Sequence, residues 1–168
     1  MSAVIEGHHD DHHHGPAKGI TRWLYTTNHK DIGSLYLWFS FIMLFIGGAM
    51  AMVIRAELFE PGSQIVSPEF YNQMVTNHGL IMVFGVIMPA FVGLANWLIP
   101  MQIGAPDMAL PRLNNLSFWI LPAAFGVLLA TFFMEGGAPN FGWTFYAPLS
   151  TEYACLLYTS DAADEFMG

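Results

Sequence analysis

The chain has 168 residues, of which 54% are hydrophobic and 11% are charged, and its formal net charge at pH 7 is −8. A soluble domain usually carries about 25% charged residues, so this composition indicates a membrane protein. The 5 Lys and Arg residues form no basic patch, which argues against nucleic acid as a partner. The single cysteine, Cys155, excludes an intrachain disulfide and a cysteine metal cluster.

The first 20 residues are polar and rich in histidine, with the run GHHDDHHHG at 7–15. Imidazole and carboxylate groups at this density could bind a metal ion. The run has no cysteine and no folded frame that would fix the geometry of the ligands. We therefore predict a disordered cytoplasmic arm over 1–20, with metal binding as the alternative.

Three long apolar segments follow, at 33–54, 78–99 and 116–134. At 1.5 Å per residue each would extend about 28–33 Å, close to the roughly 30 Å hydrocarbon core of a bilayer. A soluble protein with three buried helices is the alternative, but such a domain rarely contains three charge-free stretches of this length. We predict an all-α integral membrane fold with three transmembrane helices. The second helix should bend near Pro89, which lacks the N–H that would bond to Gly85.

The basic residues predict the orientation of these helices. Lys18, Arg22 and Lys30 precede the first segment, and Arg112 lies between the second and the third. Arg55 alone lies on the other side of the membrane in this arrangement. Because basic residues accumulate in cytoplasmic loops, the N-terminus is predicted to be cytoplasmic.

His78 begins the second apolar segment. An ionisable side chain at this depth is costly and usually has a function. A neutral imidazole could bind haem iron or another metal. Alternatively, His78 is an interfacial residue that bonds to a loop carbonyl, and its position alone does not decide between the two.

Six motifs follow one another in the chain. They are TTNHKDIGSLY at 26–36, IRAEL at 54–58, TNHGLIMVF at 76–84, NWLIP at 96–100, IGAPDMALPRLNNLSFW at 103–119 and GWTFYAPL at 142–149. In this order and spacing they resemble subunit I of the haem-copper respiratory oxidases, in particular the bacterial cytochrome c oxidase branch. The resemblance covers residues 21–154 and implies the first three helices of a twelve-helix bundle.

The resemblance implies a haem site. His78 matches an axial ligand of the low-spin haem a, Arg55 matches an arginine that bonds to the haem formyl group, and Trp143 matches a tryptophan at the haem rim. Glu57 matches a carboxylate of a peripheral calcium or sodium site. Read without the family, Arg55 is a snorkelling anchor, Trp143 an interfacial aromatic residue and Glu57 a loop acid. The ligands of the high-spin haem and copper B would lie on later helices, outside this chain.

The resemblance also implies a proton pathway. Asp107 matches the aspartate at its cytoplasmic mouth, Asn96, Asn114 and Asn115 match asparagines near that mouth, and Tyr36 matches a tyrosine close by. A carboxylate can collect protons, and amide side chains can order water. From the residues alone, Ala-Pro-Asp at 105–107 is most simply a turn.

The implied function is that of a terminal oxidase in the bacterial inner membrane. Electrons from cytochrome c would pass through haem and copper to O2, which is reduced to water while protons are pumped, and subunits II and III would be partners. A quinol oxidase is an alternative, although Phe70 stands where those enzymes have a histidine. A membrane transporter or channel is another, since its helices also carry Pro and Gly. The isolated chain is expected to be inactive because it lacks the remaining ligands.

Residues 155–168 read CLLYTSDAADEFMG, which is neither apolar nor similar to the family. A DNA sequence that encodes the first eleven of these residues matches a transposase-type sequencing adapter. We interpret 155–168 as a non-native tail, with a natural divergent terminus as the alternative.

Overall fold

The computed structural model describes residues 19–62, 65–134, 136–148 and 150. Within these ranges the chain is helical and contains no strand. The elements are α1 (Ile20–Leu24), α2 (His29–Glu57), α3 (Pro68–Leu80), a π-helical segment (Ile81–Ile87), α4 (Met88–Ile103), α5 (Pro111–Ala130) and a 3₁₀ turn (Thr131–Phe133). Most of the predicted His-rich arm and the whole 155–168 tail lie outside the described residues.

Three helical stretches are long and apolar enough to cross a membrane. They are His29–Glu57, Pro68–Ile103 and Pro111–Phe133, and their most apolar 18-residue windows have mean hydropathies of 2.2, 2.0 and 2.0. The prediction of an all-α membrane fold with three spans is confirmed. All three helical stretches begin before the predicted spans, because the search for charge-free residues missed their polar first turns.

Side-chain caps explain where these helices begin. The side chain of Asn28 accepts a hydrogen bond from Lys30 N at the start of α2, and Ser67 Oγ accepts one from Phe70 N at the start of α3. Both bonds satisfy a backbone donor that has no partner within its own helix. Both capping residues lie before the apolar segments. Each helix therefore begins outside the part that marks its membrane core.

The second span is continuous, but its hydrogen-bond ladder changes before Pro89. Within the π segment, Val83 O accepts from Met88 N, five residues ahead instead of four. Ser40 Oγ on α2 donates to Val86 O within this segment at 2.8 Å. The irregularity next to Pro89 is therefore a π-helical widening, and a bend of the axis stays a prediction.

Glycines allow α2 and α4 to approach closely. A Cβ added at Gly33 would lie 2.9 Å from Gly93 O, and one added at Gly93 would lie 3.0 Å from Gly33 O. Small residues permit such contacts between membrane helices, where packing replaces the hydrophobic effect as the source of association. The buried core between the three spans consists of Ile32, Tyr36, Phe39, Met43, Met50, Met74, Ile81, Phe118 and Phe125.

Candidate functional site

His78 lies in the last turn of α3, and its Nδ1 is 2.9 Å from Gly47 O on α2. A carbonyl oxygen can only accept, so Nδ1 carries the hydrogen and donates it. Nε2, which has no hydrogen-bond partner among the described residues, keeps its lone pair when the ring is neutral. Metal-binding histidines are commonly oriented in this way by a carbonyl on the other ring nitrogen. The alternative drawn from the sequence had His78 bonded to a loop carbonyl, whereas the carbonyl of Gly47 belongs to helix α2.

Gly47 makes this contact possible because it has no side chain. A Cβ at this position would lie 2.8 Å from Met82 Sδ and 3.1 Å from Ile81 Cγ2. A larger residue would therefore push the second span away from α2 and lengthen the bond to His78. No cluster of three or more His, Cys, Asp or Glu side chains that could hold a metal ion occurs among the described residues. His78 can thus offer one imidazole nitrogen to a metal ion.

Trp143 lies beside this histidine. A Cβ added at Gly79, the next residue after His78, would be 3.2 Å from Trp143 Cβ and 3.3 Å from its Cδ1. The indole is 49% exposed among the described residues, so one side of it is open to further contacts. The structure therefore brings together two of the residues that the sequence associates with haem.

Arg55 is exposed in the last turn of α2. It lies about 12 Å along the helix from Gly47, at the rise of 1.5 Å per residue. No described residue forms a hydrogen bond or ion pair with its guanidinium group. The five donors of this side chain therefore remain available to a partner at the same end of the molecule as His78.

Glu57 is buried, with 6% of its surface exposed. Its Oε2 accepts hydrogen bonds from Ile65 N at 2.9 Å and from Val66 N at 3.0 Å. It also lines a cavity of about 510 Å³ together with Glu60 and Asn72. Glu57 thus fixes the loop after α2, and the cavity contains oxygen atoms of the kind that hard cations bind.

A second group of predicted residues lies at the opposite end of α2. His29 and Gly47 are about 27 Å apart along the helix axis. Asp107 Oδ1 accepts from His29 N at 3.2 Å and from Met108 N at 2.8 Å. His29 is the first residue of α2, where unpaired N–H groups and the helix dipole favour a carboxylate. Asp107 therefore attaches the loop between the second and third spans to the start of the first.

His29 also joins Asn96 to this site. Its Nδ1 is 2.9 Å from Asn96 O, and the carbonyl must be the acceptor. Pro100, four residues after Asn96, has no N–H to bond that carbonyl within α4. The imidazole of His29 replaces the missing donor. The side chains of His29 and Asn96 are both buried.

A chain of hydrogen bonds continues from Asn96 into α5. Asn114 Nδ2 donates to Asn96 Oδ1 at 3.0 Å, and Ser117 Oγ donates to Asn114 O at 2.7 Å. Since the hydroxyl hydrogen of Ser117 is used there, Tyr36 OH is the donor in the 2.9 Å contact between the two hydroxyl oxygens. Asn115 lies apart from this chain, because its Nδ2 donates to Leu24 O of α1 at 2.9 Å.

Sequence reasoning missed His29 and Ser117, although both left a signal. Pro100 inside an apolar helix implies that the carbonyl of Asn96 needs a donor from another element. Ser117 follows Asn114 by three residues and so lies on the same helix face. What the sequence could not supply was the pairing partner, which is 67 residues away for His29 and 81 residues away for Ser117.

The family model described as "Cytochrome C and Quinol oxidase polypeptide I" matches residues 31–165. The chain therefore belongs to this family of haem-copper oxidase subunits, and the resemblance found in the sequence is confirmed. Membership favours an oxidase over the alternative of a transporter or channel.

Curated relatives are similar over most of this chain. Cytochrome c oxidase subunit 1 of Corynebacterium diphtheriae is 49% identical over 138 residues, which are 81% of this chain and 24% of the relative. The probable cytochrome c oxidase subunit 1-alpha of Streptomyces avermitilis is 50% identical over 80% of this chain and 23% of its own length. The heme-copper oxidase subunit I+III of Aeropyrum pernix is 50% identical over 78% of this chain and 16% of its own length. The chain spans about a quarter of the cytochrome c oxidase subunits that it matches.

Proposed function

We propose that this chain is the N-terminal part of the catalytic subunit I of a bacterial cytochrome c oxidase. The complete enzyme would take electrons from cytochrome c, pass them through haem and copper to O2, and pump protons as water is formed. Family membership supports the class of enzyme. The observation that carries the proposal is the bond from His78 Nδ1 to Gly47 O, because it leaves Nε2 as a fixed ligand for haem iron.

His78 would hold the iron of the low-spin haem a, and the haem would supply one-electron transfer. The Gly47 carbonyl would orient the imidazole and increase its basicity. The exposed guanidinium of Arg55 would donate a charge-assisted hydrogen bond to the formyl group at the haem edge. Trp143 would lie against that edge. The second axial ligand and the ligands of the high-spin haem and copper B would come from parts of the subunit outside this chain.

Asp107 would collect protons at the cytoplasmic mouth of a pathway through the protein. Its Oδ1 is used in holding His29 N and Met108 N, whereas Oδ2 has no hydrogen bond with a described residue. The amides of Asn96 and Asn114 and the hydroxyl of Tyr36 would order water beyond it. Asn115 would shape the mouth indirectly, because its amide holds α1.

The proposed location is the bacterial inner membrane, with the N-terminus in the cytoplasm. The two candidate sites lie at opposite ends of α2, as proton uptake on one side and electron delivery on the other would require. Subunits II and III are the proposed partners, and a relative named as a I+III fusion supports the association with subunit III. Glu57 would contribute a carboxylate to a calcium or sodium site in the loop cavity near His78.

A quinol oxidase is the second candidate, since the description of the family covers both enzymes. Phe70 favours cytochrome c as the donor, because quinol oxidases have a histidine at the matching position. Oxygen uptake by the complete enzyme with reduced cytochrome c and with a quinol, each supplied alone, would decide between the two.

The central test is His78→Ala in the full-length oxidase. We expect the low-spin haem band to disappear from the reduced-minus-oxidised spectrum, because the ligand atom is removed. The matched control is His29→Ala, which removes the other described imidazole of the spans and should leave that band in place. A low-spin band that persists in the His78 variant would refute the assigned ligand.

A further inference from the structure

The two residues that precede His78 hold a separate segment of the chain against α3. Asn77 Nδ2 donates to Pro139 O at 3.3 Å, and Gly142 N donates to Thr76 Oγ1 at 2.9 Å. Thr76 and Asn77 are 1% and 0% exposed. We refer to residues 139–143 as the rim segment. It is attached to α3 at two points, both within two residues of His78.

Each anchor is also bonded to its own helix. Thr76 Oγ1 donates its hydrogen to Asn72 O at 2.8 Å, so its lone pairs are free to accept from the rim segment. Asn77 Nδ2 gives one hydrogen to Gln73 O at 2.8 Å and the other to Pro139 O. The side chains of Thr76 and Asn77 are therefore bonded both to α3 and to the rim segment. The position of the rim segment consequently follows that of α3.

Two glycines place Trp143 at the end of this attachment. Gly142 has a φ of 84°, a left-handed conformation that lets the chain turn directly after the bonded N–H. Gly79 leaves room for the indole, since a Cβ there would lie 3.2 Å from Trp143 Cβ and 3.3 Å from its Cγ. The indole consequently lies over the residue that follows His78.

We propose that Thr76, Asn77 and Gly79 are positioning residues that hold Trp143 as a wall beside the haem bound by His78. The inference rests on the proposed function of His78 and adds a role that acts through Trp143. An indole held in this place excludes water from one edge of the haem. Since water stabilises the ferric state, which carries the greater charge, the wall raises the reduction potential of the low-spin haem.

The test uses the full-length oxidase with Thr76→Val, Thr76→Ser, Gly79→Ala and Trp143→Phe. Val keeps the shape of Thr but removes the acceptor for Gly142 N, whereas Ser keeps that acceptor. We expect Thr76→Val, Gly79→Ala and Trp143→Phe to bind haem in full, with a lower reduction potential and a shifted low-spin band. Thr76→Ser should restore the wild-type values. A redox titration followed by visible absorption measures both quantities.

Two control variants test for general packing effects. Gly48→Ala adds a methyl group where no described atom lies within 4 Å, and Thr131→Val removes a hydroxyl that bonds only to Leu128 O in the adjacent turn. Neither should change the potential. Because Trp143 is half exposed, Trp143→Phe is expected to fold even if the buried variants do not. An unchanged potential in Trp143→Phe overturns the inference, whereas a low-spin band in His78→Ala overturns the proposed function beneath it.

Discussion

Asp107 uses its two carboxylate oxygens differently. Oδ1 holds the first backbone N–H of α2 and the N–H of Met108, which is the behaviour of a turn and capping residue. Oδ2 makes no hydrogen bond with a described residue and can exchange a proton with water. The structural interpretation of the Ala-Pro-Asp turn and the functional one are therefore compatible, and a substitution can separate them.

Asp107→Asn provides this separation in the full-length oxidase. The amide oxygen can still accept from His29 N and Met108 N, so the turn should survive while the exchangeable proton is lost. We expect turnover to fall severely, on the order of tenfold or more, while the His78 haem is still reduced. Oxygen uptake and proton release from vesicles are the measurements. Asp31→Asn is the matched control, because that carboxylate forms a partly exposed ion pair with Arg22 at 2.9 Å. Wild-type turnover and pumping in the Asp107 variant would show that Asp107 is only a turn residue and has no role in proton uptake.

Arg55→Met tests a residue at the other end of α2. Methionine keeps an unbranched side chain but removes the donors, so the haem should remain bound while its absorption band shifts. Arg112→Met is the control, because Arg112 is exposed at the start of α5, far from His78 along the chain. The reduced-minus-oxidised spectrum measures both. An unshifted band in the Arg55 variant would remove its proposed role.

At the scale of elements, the contact between α2 and α4 depends on backbone atoms that touch. A Cβ added at Gly93 would lie 3.0 Å from each of three atoms, which are Gly33 O, Leu37 Cγ and Tyr36 Cβ. A methyl group at this position requires these neighbours to move by a few tenths of an ångström, and Gly33 O can move only with the backbone of α2. Because Tyr36 and Asn96 are held in one hydrogen-bond chain across these helices, such a movement would also disturb the proposed proton pathway.

Gly93→Ala is therefore expected to destabilise the assembled oxidase by about 1–3 kcal/mol, the usual cost of overpacking. Gly126→Ala on α5 is the control, since no described atom lies within 4 Å of the added Cβ. Thermal unfolding of the purified complex in detergent compares the two. Equal melting temperatures would show that the close approach at Gly93 is not required.

The elements also show what the sequence could predict. Apolar runs located all three spans, because charge-free length is the physical requirement for crossing a bilayer. The helix starts were missed because Asn28 and Ser67 cap polar turns outside the membrane core. Pro89 correctly marked an irregular ladder, but the loss of one donor does not determine how the neighbouring carbonyls are satisfied. The contact between Trp143 and Gly79 depends on a fold that brings distant segments together, which no local pattern encodes.

At the scale of the whole molecule, the three spans are sparsely covered. Only 28%, 22% and 17% of the residues in their most apolar windows are buried within the chain. Lipid or other protein must cover the remainder. Large exposed side chains such as Trp38, Phe45 and Phe91 lie on these open faces. The described faces of the spans are thus apolar surfaces that water would not cover.

The isolated 168-residue chain should accordingly show no oxygen consumption and no stable low-spin haem spectrum. A low-spin site needs two axial ligands, and His78 would supply one. The measurements are an oxygen-electrode trace and a visible spectrum of the purified chain in detergent with added haem. Sustained oxygen consumption that depends on the chain would contradict the proposed division of ligands.

The bond between His78 and Gly47 has a consequence for biosynthesis. Both of its partners belong to the first two spans, so the imidazole is oriented as soon as this helical hairpin has entered the bilayer. The nascent chain would then present half of a haem site before the ribosome has made the other half. Haem delivered early would meet a histidine whose tautomer is already set, and the later helices would close around it.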